Sequence, residues 1–237
     1  MENDNYLIHK ITSETKILVE NNPTERYSQE IQNEIDHFWQ SKIDSGVFLF
    51  DGKLFNVTHI SEDIIRGHFI HYRTFLAWRY SPLREAFTLK PLSLSCMTFA
   101  GNHILVGKRA VHMAQYPNLL EFAPSGGVDS ECEYDGEINY KELTQRELLE
   151  ETGLTSDNIS TIQLITAIED IKEGTLELCV KITLQENTDI IHPPQDEYSE
   201  LHWLNAEQIE QSFSHTPQLW LPFSFAFWKN ITLNKKK

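Results

Sequence analysis

The residues with the most chemical potential in this chain stand together: Arg146, Glu147, Glu150 and Glu151. On a helix, positions three and four apart share a face, so the three carboxylates fall within about 100° of arc. The commonest use of such a turn is a solvated acidic face. Its other use is to hold a hard divalent cation such as Mg²⁺, which takes carboxylate oxygens and bridges them to phosphates. Like charges at these spacings repel by a few tenths of a kcal/mol, and a bound cation reverses that sign. Arg146 stands four residues before Glu150 and is expected to pair with it, while Leu148 and Leu149 are expected to turn into a core.

The elements that must position these groups can be read around them. Asn139 is a good N-cap with Glu142 three residues on, and Gly153 suits a left-handed C-cap, so the spacing predicts a helix over 140–152. Ahead of it, strands over 92–99 and 103–107 meet at Gly101-Asn102, and Lys108 and Arg109 follow as candidate phosphate-binding charges. Surface ion pairing is an equally ordinary use of the two. The run 119–123 reads as a strand leading to Gly126 and Gly127, a pair that lets backbone approach a ligand, although a plain turn is the commoner use. Beyond the helix, 159–168 and 175–183 read as a hairpin, 186–200 as a polar loop, 201–204 as a short strand, and 206–212 and 219–228 as helices. In the first third, 16–20 reads as a strand and 27–41 as an amphipathic helix. Residues 47–50 and 53–57 read as a hairpin across Asp51-Gly52, and 68–80 as a helix ended by Ser81-Pro82.

The run Arg146-Glu147-Leu148-x-Glu150-Glu151-x-Gly153-Leu154 resembles the second half of the Nudix box, GX5EX7REUXEEXGU, at every defined position. The first half departs from it: Ile138 and Cys132 stand where the box has Glu and Gly. An insertion of about five residues between Gly127 and Asn139 restores Gly126-Gly127 to the pattern. The likeness covers roughly 92–230. It implies a Nudix α/β/α sandwich with a mixed sheet, Glu147, Glu150 and Glu151 as metal ligands, and Arg146 orienting one of them. It also implies an assisting carboxylate on a later loop, best matched by Glu197, with Asp196 as rival. Mg²⁺ is the implied cofactor, with Mn²⁺ as its substitute. Upstream, Leu49-Phe50-Asp51-Gly52-Lys53-Leu54-Phe55 and Tyr72-Arg73-Thr74-Phe75-Leu76 resemble the extra N-terminal domain of the animal Nudix UDP-glucose diphosphatases.

Charge and cysteines bound the alternatives. With 35 acidic against 20 basic residues the formal net charge is −15, which disfavours nonspecific binding to nucleic acid or anionic membrane. Cys96, Cys132 and Cys179 are odd in number and widely spaced, so neither a disulfide framework nor a zinc site is suggested. With no signal-peptide pattern and no apolar run of membrane length, the reading is a cytoplasmic protein.

The expectation is therefore an α+β protein: an N-terminal α+β domain over 1–91 that binds substrate, and a hydrolase domain over 92–237. By the resemblance, its substrate is a small nucleoside diphosphate derivative, foremost a UDP-sugar cleaved to UMP and sugar 1-phosphate. The alternatives are ADP-ribose or an ADP-sugar and, in another class, a non-catalytic nucleotide-binding module. The Pro and Tyr that mark the family's ADP-ribose and dinucleoside-polyphosphate hydrolases beyond the box are not matched: there is no Pro between Pro124 and Pro193, and no Tyr between Tyr140 and Tyr198. The sequence sets no oligomeric state.

Overall fold

The structure, a computed structural model, describes residues 5–20, 27–46, 49–113, 115–185 and 197–234. Among them, two mixed sheets and five α-helices make an α+β fold. The larger sheet runs in the order β1 (Tyr6–His9), β11 (Ile159–Asp170), β12 (Thr175–Leu184), β5 (Leu92–Ala100), β6 (His103–Arg109) and β13 (Tyr198–Asn205). Two short strands complete it, β7 (Leu120–Phe122) on β6 and β8 (Ser125–Gly127) on β5. β12 and β5 are parallel, whereas β11 and β12 form the antiparallel hairpin expected from the sequence.

Helices cover both faces of this sheet. On one, Leu143 and Leu148 of α3 (Tyr140–Thr152) join Leu94, Leu178 and Val180. On the other, Ile209 of α4 (Ala206–His215) and Phe227 and Trp228 of α5 (Pro222–Asn234) join Met97, Ile168 and Cys179. Each of the Leu, Ile, Val, Met and Phe side chains among them, once buried, contributes about 1.5–3 kcal/mol before entropy is counted. That burial clamps α3 against β5 and β8.

The smaller sheet runs β3 (Lys53–Ile60), β4 (Ile64–His71), β2 (Lys16–Val19), β10 (Glu137–Ile138) and β9 (Glu133–Tyr134). Its Ile17, Phe55, Val57 and Ile65 share the core that holds α3. Helix α1 (Gln29–Asp44) packs on α2 (Tyr72–Tyr80) around Ile35, Ala77 and Leu83. Both sheets draw strands from both sides of residue 91. β1 edges the larger sheet through Tyr6–Asp170 and His9–Ala167, and the inserted segment after Gly127 supplies β9 and β10 to the smaller one.

Three local expectations are corrected. Asp51-Gly52 is not a hairpin turn: Asp51 Oδ1 accepts the Arg73 N–H at 2.9 Å and its other oxygen meets Arg73 Nε at 2.8 Å, so it holds the start of α2. β3 pairs instead with β4. The chain's other Asp-Gly is the turn, with Asp135 at φ 50° and Gly136 at φ 82° between β9 and β10. Residues 68–71 extend β4 rather than opening α2, because Phe69 and Ile70 pair across to Phe55 and Leu54. Leu148 is fully buried as expected, but Leu149 is about half exposed, since consecutive residues on a helix diverge by about 100°. Val47, Phe48, residues 186–196 and residues 235–237, on which other expectations fall, lie outside the described residues. Among the described residues no helix is long and apolar enough to cross a membrane.

Candidate active site

Helix α3 keeps the bounds its caps dictate. The Asn139 side chain accepts from Lys141 N and Glu142 N, and Gly153 closes the helix at φ 74°. This places its acidic face beside β8. Glu147 lies directly over Gly126, where an added Cβ would come within 2.5 Å of the Glu147 Cδ. Glu151 is 4% exposed, and its Oε2 accepts the Ser125 N–H at 3.0 Å while its Oε1 has no hydrogen-bond partner. Glu150 and Glu197 are exposed and line the same cleft, a cavity of about 940 Å³ that also takes in Gly126, Gly127, Arg109 and Arg146.

Burial dominates the electrostatics. It pushes the Glu147 carboxyl up to about 7, against the pull of Arg146 and with the help of Glu150 and Glu197. It raises Glu151 well above the carboxylate range, reinforced by Glu197, Glu121 and Glu147. Arg146 does not take Glu150 as its partner. Its Nη2 meets Asp129 Oδ2 at 2.6 Å and Glu147 Oε1 at 3.1 Å, and its Nη1 meets Glu131 Oε2 at 3.2 Å. The inserted segment, through Asp129 and Glu131, thus competes for the guanidinium and wins it from the i+4 neighbour.

The basic pair separates. Lys108 points to Glu200 at 2.8 Å on the adjacent strand, whereas Arg109 turns inward to Glu121 at 2.5 Å. Glu121 is 5% exposed and also accepts from the Tyr198 hydroxyl at 3.2 Å. Tyr198 fits there because Gly107 has no side chain: a Cβ would meet its ring at 2.5 Å. Glu121, Tyr198 and Asp129 are the residues the sequence reading missed. Glu121 did carry a signal, as an acid inside the apolar run 119–123, which calls for a buried partner.

A model of the NUDIX domain family matches residues 89–222, more than half of the chain. The chain belongs to the NUDIX family. No curated protein matches it. Solved structures similar to it include DR0079 from Deinococcus radiodurans, at 17% identity and TM-score 0.48 over 69% of this chain and 90% of that one. A bifunctional NMN adenylyltransferase/ADP ribose pyrophosphatase from Francisella tularensis has 16% identity and TM-score 0.47 over 62% of this chain and 42% of its own. A MutT protein from Methanosarcina mazei Go1 has 19% identity and TM-score 0.45 over 62% and 95%.

NUDIX hydrolases use divalent metal ions, so the fit of these residues to one can be tested. Among the described residues no three acids, histidines or cysteines are gathered tightly enough to ligate an ion as they are oriented. The reason is visible in their present partners: Glu147 is drawn to Arg146, and one oxygen of Glu151 to Ser125 N–H. The donor set nevertheless fits a hard cation. Glu151 keeps an orphaned buried oxygen, and two buried carboxyls whose charged forms are disfavoured are the groups a cation would stabilise.

Proposed function

We propose that this NUDIX enzyme hydrolyses a nucleoside diphosphate linked to a second moiety in the presence of Mg²⁺, with a UDP-sugar cleaved to UMP and sugar 1-phosphate as the foremost substrate. The observation that carries the reading is the pair of buried carboxylates, Glu147 over Gly126 in the cleft that Glu150 and Glu197 also line, and Glu151 behind it on the N–H of the cleft residue Ser125. In this reading Glu147, Glu150 and Glu151 hold the metal. The bound ion supplies charge neutralisation of the diphosphate and a water of lowered pKa.

The chain's own residues divide the remaining work. Arg146 holds Glu147 in place and ties it to Asp129 of the insert. The Gly126-Gly127 backbone gives the diphosphate a close approach to β8. In this reading Glu150 and Glu197, exposed acids that line the cleft, accept a proton from the attacking water. Arg109 lines the cleft with its charge held in the buried pair with Glu121, whereas Lys108 is taken by Glu200 and is not among the residues that line the cleft. Residues 1–91 act as the substrate-binding unit: Leu54 packs beside Gly127, and Lys53, Tyr72 and Arg79 line the cleft. Buried free thiols at Cys96, Cys132 and Cys179 suit a reducing, cytoplasmic setting.

ADP-ribose and ADP-sugars present the same linkage to the same carboxylates. The test is a turnover panel of UDP-glucose, UDP-galactose, ADP-ribose, ADP-glucose and diadenosine polyphosphates with Mg²⁺ or Mn²⁺, beside Glu151→Gln. A UDP-sugar with the highest kcat/KM, and its loss in the variant, is the expected result. Preference for ADP-ribose would replace the substrate, and turnover untouched by Glu151→Gln would remove the site.

A further inference from the structure

The cleft extends past the carboxylates to an end that the diphosphate chemistry does not use. There the sheet presents Asp170 of β11, Thr175 and Glu177 of β12, and Ser93 and Ser95 of β5, walled by Tyr6 and Phe223. In register, Glu177 lies beside Ser93, and Ser93 beside Gly127 of β8. Glu177 is therefore two strand spacings, about 10 Å, from the strand that holds Glu151.

This end is built in advance. The tip of the β11–β12 hairpin is fastened at three places, two on α2 and one on Arg84 in the turn that follows it. The buried Arg79 meets Glu173 at 2.5 Å and Tyr116 Oη at 3.2 Å, Arg84 donates to Lys172 O, and Trp78 packs so close to Gly174 that a Cβ would meet its ring at 2.5 Å. Arg79 is further enclosed by the rings of Phe75, Tyr80 and Tyr116 at 5.6–5.9 Å. Its charge is thus committed to the wall. What faces the ligand is acceptor-rich: Glu177 and the serine and threonine hydroxyls, next to aromatic surface, with Asp170 buried behind them and accepting from Glu173 N–H at 2.9 Å. An anionic group would meet carboxylates there, whereas an uncharged ring carrying hydroxyl or amino donors would find acceptors and an apolar side.

We propose that this end is a specificity subsite for the uncharged, donor-bearing ring at one end of the substrate, with Glu177 as its principal acceptor and Tyr6 and Phe223 as its walls. Glu177 is half-buried, is bonded by the Ser95 hydroxyl at 3.1 Å, and keeps its place through that contact. β1 and α2 lie outside the segment that matches the NUDIX family, so the subsite is closed by residues this chain adds to the family domain. The inference rests on the proposed reaction for the position of the diphosphate, but its test does not need turnover.

The ring is either the base or the sugar, and the test separates them. Affinities of UMP, AMP and glucose 1-phosphate are measured by calorimetry for wild type, Glu177→Ala, Glu177→Gln and Tyr6→Ala, with melting curves to confirm folding, and KM and kcat are measured for UDP-glucose and ADP-ribose. Glu177→Ala is expected to raise KM and the Kd of one product class about tenfold, the cost of one hydrogen bond to a half-buried acceptor, with kcat within about threefold. Glu177→Gln should recover most of the loss. A loss confined to the nucleotides assigns the subsite to the base, and one confined to glucose 1-phosphate assigns it to the sugar. If no product probe binds wild type, or if Glu177→Ala leaves KM and every Kd within about twofold, the subsite is overturned. No turnover on any substrate, with probe binding present and lost in Glu177→Ala, would end the proposed reaction and keep the subsite.

Discussion

Glu147 occupies the space that a side chain at residue 126 would need: a Cβ there would approach the Glu147 Cδ to 2.5 Å and its Oε2 to 2.6 Å. Gly126 is required here by a neighbour's carboxylate and not by its own backbone angle, because it is not among the residues with positive φ.

Gly126→Ala should therefore spare the fold and damage the site. The atoms displaced are the end of a flexible side chain, so the stability cost is expected to stay near 1 kcal/mol. Displacing the carboxylate should lower kcat/KM by about 10²-fold, as small misplacements of positioning groups do. Denaturant midpoint and steady-state kinetics on the same preparation decide it; unchanged kinetics would show that Glu147 is not needed where it stands.

Arg146 holds Glu147 and Asp129 with two nitrogens, a geometry a lysine ammonium cannot reproduce. Arg146→Lys is expected to reduce kcat/KM by about tenfold or more and to raise the Mg²⁺ concentration at half-maximal rate. Asp129→Asn should show a weaker form of the same shift. Equal metal dependence in all three proteins would disconnect the insert from the site.

Chelation should abolish turnover, and Mg²⁺ or Mn²⁺ should restore it. Binding to the folded state alone also raises stability by RT ln(1 + [L]/Kd), about 2.7 kcal/mol at a hundredfold excess over Kd. The melting temperature should rise with added Mg²⁺ in wild type and stay flat in Glu151→Gln. A rise of the same size in the variant would place the ion elsewhere.

Glu177 offers a pH signature independent of catalysis. Burial pushes its carboxyl up to about 7 from 4.5, with Glu121 and Asp170 adding to the shift and Ser95 opposing it. The folded state holds its proton more tightly than the unfolded state, so this group costs no stability below about 4.5. The cost grows as pH rises through the window to about 7, and is constant above it. Glu177→Gln should match wild type in stability near pH 4.5 and exceed it by about 1–3 kcal/mol at pH 8. Urea midpoints at the two pH values measure the difference, and a constant offset would remove the buried-carboxyl account.

The sequence by itself determined whatever depends on neighbours along the chain. The bounds of α3 follow from Asn139 and Gly153, the β11–β12 hairpin from its strand runs and Gly174, and the shared face of Glu147 and Glu151 from helical spacing. Tertiary structure decided where long-range partners compete with local ones. Two Asp-Gly pairs were equally fit to turn; Asp51 was taken by Arg73, and Asp135-Gly136 made the hairpin because β2 offered β10 a partner. Arg146 had Glu150 one turn away, yet Asp129 gave it a two-pronged, partly buried site, with the exposed Glu131 beside it. The edge pairing of β1, the burial of Glu121 under Arg109 and Tyr198, and the fastening of Glu173 to Arg79 all join residues far apart in sequence. No local pattern encodes these contacts, because the free energy of each is set by what the completed fold removes from water.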